Sequence, residues 1–132
     1  MRRATVCILD EEDYELAAAI QNTGLHKSSA SILVYLLRRN SGTQRDIQEA
    51  TRLLQPEASI YIKPLIEKGW VLKKEIQTPG KGRPHNVYSL GMPPADLLET
   101  IETELEEKLS EEQTRIASLV IKLREARKSM EG

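Results

Sequence analysis

The sequence predicts a mainly α chain with one small β-ribbon and one long C-terminal helix, on three observations. Residues 70–90, WVLKKEIQTPGKGRPHNVYSL, hold two strand-like runs around a loop containing two glycines and two prolines. Immediately before them lie two short helical patterns separated by a tight turn. After them, helical periodicity runs unbroken from residue 95 to about residue 130.

Taken in chain order, residues 5–9 read as a short strand. Residues 11–22 read as a helix with Tyr14, Leu16, Ala17 and Ile20 on its apolar side and Gly24 as its stop. Residues 28–39 carry Ile32, Leu33, Tyr35, Leu36 and Leu37, a helical stripe that stops at the Asn40-Ser41-Gly42 turn. Thr43 then caps a short helix, with Asp46 standing in for the Glu of a capping box and Ile47, Ala50 and Leu54 facing inward. Pro56 suits the first position of the next helix, which runs to Lys68, stops at Gly69 and turns Ala58, Ile62, Leu65 and Ile66 inward. Pro64 lies inside that helix, where it costs roughly 3 kcal/mol unless the helix bends. The ribbon follows as strands 70–77 and 86–90. In the first, Val71, Lys73 and Glu75 alternate with Leu72, Lys74 and Ile76. Two helices joined by a tight turn, with a third before and a ribbon after, make a winged helix-turn-helix.

The motifs that specify this arrangement further are Gly24-Leu25 before the first domain helix, Leu65-Ile66-Glu67-Lys68-Gly69-Trp70-Val71 at the helix end, and Gly82-Arg83-Pro84 with Tyr88-Ser89-Leu90 in the wing. On these residues, segment 24–90, about half of the chain, resembles the winged-helix domain of archaeal TrmB-like and MarR-like transcription regulators. The resemblance implies a dimer that binds double-stranded DNA, with helix 56–68 in the major groove and the wing beside the minor groove. The MarR side of it also implies an unidentified small-molecule effector in a crevice between winged domain and dimer helices, although no polar constellation in the sequence marks such a pocket.

The C-terminal helix begins after Gly91-Met92-Pro93-Pro94 and is about 50 Å long at 1.5 Å per residue. Leu98, Ile101, Leu105, Leu109, Ile116, Leu119, Val120, Leu123 and Met130 follow steps of three, four and seven. Pairing with the same helix of a second subunit buries that stripe, so Leu98, Ile101, Leu105, Leu109, Ile116, Leu119 and Leu123 are the expected homodimer, coiled-coil interface. Parallel and antiparallel pairing both satisfy the periodicity, and a helix folded back on its own domain is the alternative. The domains expected are 1–24, an N-terminal strand and helix supporting the dimer; 25–92, the DNA-binding winged helix; and 93–132, the dimerisation helix.

Composition limits the chain to one small core, with 39% hydrophobic residues, 4% aromatics and 132 residues in all. The opening MRRATVCILDEED turns acidic too soon for a signal peptide. No apolar run approaches the ~20 residues of a membrane span. A single cysteine, Cys7, fits a reducing compartment, and the expected location is cytoplasmic. The net charge of −1 hides a partition. Residues 26–92 hold eleven basic and five acidic groups, whereas residues 1–25 hold two and five and residues 93–132 six and ten. Phosphate attraction follows the local field, so the basic middle suits a polyanion.

The candidate DNA contacts follow from the face of helix 56–68 opposite its buried side. Gln55 and Ser59 can reach base edges, Ile60 a thymine methyl, and Lys63 a guanine or a phosphate. Arg83 in the wing suits a narrowed minor groove, with Lys81 beside it, while Lys73, Lys74, His85, Arg45 and Arg52 suit phosphates. No Arg or Asn stands on the recognition face, so phosphate contacts and DNA shape should supply much of the affinity.

Enzymatic readings find no support. His26 and His85 have no metal-ligand spacing to Cys7, and Gly80-Lys81-Gly82 lies in a hairpin and does not lead into a helix. The sequence thus gives no catalytic residue, metal site or cofactor, and the expectation is a non-enzyme. A protein-interaction module of transcription or chromosome machinery is the alternative function, since the same fold serves both uses.

Overall fold

The computed structural model describes residues 10–77 and 85–131. The expected strand 5–9 with Cys7, and the wing residues Lys81 and Arg83, lie outside the described residues. Within them the chain forms α1 (Glu11–Gln21), α2 (Lys27–Arg39), β1 (Ser41–Thr43), α3 (Gln44–Thr51), α4 (Gln55–Glu67), β2 (Val71–Ile76), β3 (His85–Leu90) and α5 (Pro94–Glu131). The expected architecture, a mainly helical winged helix-turn-helix followed by one long helix, is present.

α2 is the hub. Ile32, Leu33, Val34 and Leu36 are fully buried on it, so three sides of the helix are covered by neighbours. α1 lies against one side. Its N-terminus is a reciprocal box in which the Asp13 amide donates to Asp10 Oδ1 (2.9 Å) and the Asp10 amide to Asp13 Oδ2 (3.3 Å). Asp13 is buried, and Arg38 Nε of α2 donates to its Oδ1 at 2.8 Å. That hydrogen bond, with the carboxylate's charge, raises the Arg38 pKa. Tyr14, expected on the apolar face of α1, is instead exposed. The face turned to α2 carries Asp13, Ala17 and Ile20, because Arg38 compensates the charge at the buried position.

Where the sequence predicts only a turn after α2, the structure holds a short strand. Asn40 has φ +70 and reverses the chain, and Ser41, Gly42 and Thr43 then pair antiparallel with Ser89, Tyr88 and Val87. The sheet order is β1-β3-β2, so the second arm of the ribbon, β3, is the central strand of a three-stranded sheet. Gly42 is needed there, since a Cβ would come within 2.9 Å of the Tyr35 ring. Tyr88 opposite it is buried, and that burial raises its phenol pKa.

α3 carries the expected cap, with the Asp46 amide donating to Thr43 Oγ1 and the Thr43 amide to Asp46 Oδ2, both at 3.0 Å. It ends sooner than its apolar pattern suggests. Arg52 takes a left-handed conformation (φ +62), which breaks the helical phase. Leu54, expected on the inner side, is therefore 70% exposed, and the half-buried Leu53 packs against the core in its place.

α4 stops where Gly69 adopts φ +79, and Trp70, β2 and the start of α5 meet at that corner. The Gly91 amide donates to the Trp70 carbonyl at 2.8 Å, and a Cβ on Gly91 would collide with the Gly69 carbonyl oxygen. Lys68 closes the corner with its ammonium 4.5 Å from the Trp70 ring centre and 3.2 Å from Glu104 Oε1 of α5.

Only the first turns of α5 belong to the domain. Leu97 and Ile101 are buried, Leu105 is half-buried, and Lys108 Nζ donates to the Asn22 carbonyl at the end of α1 (2.6 Å). Ile101, expected at a subunit interface, is 4% exposed in the core of its own domain, because it lies on the α5 face turned toward that core. From Leu109 onward the helix continues with Leu109, Ile116, Leu119 and Leu123 exposed. The alternative of a helix folded back on its own domain thus describes only its beginning.

Candidate nucleic-acid interface

α4 is held rigidly by one side. Ala58, Ile62 and Leu65 are buried, as the sequence predicts. Ser29 Oγ of α2 donates to the Tyr61 carbonyl at 2.6 Å, and the His26 ring stacks on Tyr61 with centres 4.3 Å apart. His26 also caps α2, accepting the Ser28 amide on Nδ1 at 3.0 Å. This histidine is thereby accounted for as a structural residue. Among the described residues no group of three or more His, Cys, Asp and Glu side chains is arranged to hold a metal ion.

The opposite side of α4 is open. Gln55, Ser59, Ile60 and Lys63 are all exposed, with Ile60 at 63%. Ile60 is an exposed apolar residue amid polar groups on the side of α4 opposite the buried Ala58, Ile62 and Leu65. The helix runs continuously through Pro64, which has no amide proton to donate to the Ile60 carbonyl. At its start the Leu54 amide donates to Glu57 Oε1 at 2.9 Å, which occupies that carboxylate as a cap.

Beside α4 is a polar crevice of about 540 Å³ lined by Thr43, Gln44, Arg45, Gln48, Gln55, His85 and Asn86. It joins the starts of α3 and α4 to the first residues of β3, so the helix-turn-helix and the base of the wing share one concave surface. Gln44, Gln48 and Asn86 were not singled out from the sequence. The signal was present as two glutamines at i and i+4 on α3, one of which, Gln44, donates to Ser59 Oγ at 3.4 Å.

The cations surround this surface. Arg45 and Arg52 are exposed on α3 and its cap, and Arg45 is only loosely held by Glu49 (3.3 Å) at the surface. Lys73 and Lys74 are exposed on opposite faces of β2, across from Tyr88 and Val87, and His85 is exposed across from Ile76. The structure thus brings Gln55, His85 and Arg45 into one crevice, with Ser59 linked to its Gln44, and sets Ile60 and Lys63 further along the same helix. Strand alternation points Lys73 and Lys74 to opposite faces of β2.

The chain matches no protein-family model. Nor does it match any curated protein. Its fold does match solved structures. A possible transcriptional regulator from Methanosarcina mazei Go1 is 13% identical, with a TM-score of 0.58 over 82% of this chain and 86% of that one. TrmBL2, an archaeal chromatin protein, is 20% identical, with a TM-score of 0.55 over 84% of this chain, which spans 40% of the length of TrmBL2. Wild-type MarR from E. coli in its apo form is 16% identical, with a TM-score of 0.50 over 88% of each chain. The chain therefore has the winged-helix fold of TrmB- and MarR-type regulators.

Proposed function

We propose that the protein is a homodimeric, DNA-binding transcription regulator and not an enzyme. The observation that carries the reading is α4, clamped along one side and presenting Gln55, Ser59, Ile60 and Lys63 along the other, next to the base of a basic wing. In this reading α4 enters the major groove. Gln55 and Ser59 meet base edges, Ile60 a thymine methyl, and Lys63 a guanine or a phosphate. Arg45, Arg52 and His85 meet phosphates, with Lys73 or Lys74 according to which face of β2 lies toward the duplex. The segment 78–86 lies at the minor groove, with Arg83 and Lys81 supplying the charge. The likeness to TrmBL2, whose structure shows a mode of DNA binding, supports this assignment.

The test is titration of a 30-base-pair duplex across a salt series with the unmodified protein and with Lys63→Gln and Arg83→Gln. Affinity should fall steeply with salt, and each substitution should weaken binding and reduce the slope of log K against log salt by about one. Unchanged affinity in both variants would remove these residues from the interface. Absence of binding at low salt would turn the reading toward a protein-interaction module.

A further inference from the structure

The homodimer reading leaves open how two copies of α5 run against each other, and the sequence of the helix together with the groove beside it answers that. The two halves of α5 have opposite charge. Residues 94–113 hold eight acidic groups and one basic, and residues 114–131 hold five basic groups and two acidic. The acidic half is the one docked on its own domain, through Leu97, Ile101 and the Lys68–Glu104 ion pair. The basic half projects without support from its own domain, with Leu119, Leu123 and Met130 exposed.

Alongside the acidic half lies an apolar groove of about 390 Å³ between α1 and α5, whose floor includes Leu16, Ala19, Leu98, Leu105 and Leu109. The groove is continuous with the exposed stripe of α5, so each protomer has both an unfilled apolar groove edged by acid and an uncovered apolar arm edged by base.

We propose that the groove of each protomer receives the basic half of α5 from a second copy, the two helices running antiparallel about a two-fold axis at Thr114. This rests on the homodimer reading above and adds its geometry. About residue 114 three apolar pairs match, while Ile116 falls opposite the partner's Glu112 and Ile101, already buried in its own domain, opposite the partner's Arg127. Leu98 falls opposite the partner's Met130, Leu105 opposite the partner's Leu123, and Leu109 opposite the partner's Leu119. These are alternating core positions of a heptad pattern, as an antiparallel pair requires. In the register about Thr114 the basic residues 122–128 of one chain lie at the level of residues 100–106 of the other, which hold Glu102, Glu104 and Glu106. Parallel pairing in register would set eight acidic groups beside eight more and oppose Glu112 to its own copy. Antiparallel pairing also covers the arm and fills the groove in one step, twice over by symmetry. It places the winged domains at opposite ends of the paired helices, with the two Leu98 positions about 48 Å apart.

The test uses the full chain with Cys7→Ser and one nitroxide label at Lys128→Cys, an exposed position off the stripe, and measures the spin–spin distance in the dimer. The antiparallel register gives a distance of about 40 Å, because 28 residues of helix separate the two labels along the axis. A distance below about 25 Å means parallel helices and overturns the proposal. A monomer by sedimentation, with no dipolar signal, overturns it too, and duplex binding by that monomer would show that the DNA reading survives on its own. A second variant separates the two geometries by sign. Lys122→Glu with Lys128→Glu should weaken an antiparallel dimer tenfold or more at low salt, whereas relief of repulsion between two basic halves would tighten a parallel one.

Discussion

Trp70→Ala is expected to cost about 3–5 kcal/mol of folding stability. Trp70 is 2% exposed at the corner where α4 ends, β2 begins and α5 leaves the sheet. Its ring is the surface on which the Lys68 ammonium rests, and its carbonyl accepts the amide of Gly91. Truncation leaves a large cavity, and neighbours whose backbones are fixed by the Gly69 and Gly91 turns have little freedom to collapse into it. Against a typical total of roughly 5–15 kcal/mol, the loss is a large part of the stability of a domain this size. Urea unfolding followed by circular dichroism measures it, and the midpoint should fall with little change in the slope. A variant within 1 kcal/mol of the original would mean that the corner is not a packing centre.

The second large effect concerns assembly. Leu109→Glu together with Leu119→Glu places four carboxylates in two central layers of the proposed helix pair, since each layer is met by both chains. Leu109 and Leu119 are exposed within a protomer, so the winged domain itself should keep its stability within about 0.5 kcal/mol. The dimer should be lost. Duplex affinity should then fall by about 10²–10⁴, because the second domain no longer binds as a tethered partner. Sedimentation velocity and fluorescence anisotropy read the two outcomes separately. A variant that remains dimeric would place the subunit contact elsewhere.

Much of the fold was legible because its helices begin and end on local chemistry. The Thr43–Asp46 box, the Gly69 stop and the long periodicity of α5 are decided within a few residues, and each stands where the sequence puts it. What escaped was decided by distant partners. The three residues of β1 have no strand signature, since their pairing depends on β3 nearly fifty residues on. Asp13 and Tyr14 exchange inner and outer positions because Arg38, on another helix, compensates a buried carboxylate. Leu54 is turned out by the φ of Arg52, a non-glycine residue in a left-handed conformation that propensity does not reveal.

The site divides in the same way. The exposed face of α4 follows from helical phase once Ala58, Ile62 and Leu65 are taken as buried, so Gln55, Ser59, Ile60 and Lys63 could be named from the sequence. The crevice that joins α3 to the wing could not. It depends on strand pairing and on the short turn between the two helices, and it brings in Gln44, Gln48 and Asn86. Ile101 shows the limit of reading an amphipathic helix alone, because a stripe does not reveal which of its residues face the helix's own domain.

In the proposed function a dimer reads the sequence of duplex DNA. The most direct test is binding of the purified protein to random genomic duplex fragments through a salt series, with sequencing of the fragments retained at physiological salt. A recurrent inverted repeat is the expected result, because a two-fold dimer reads two half-sites related by the same symmetry. Failure to retain any fragment even at low salt would contradict it.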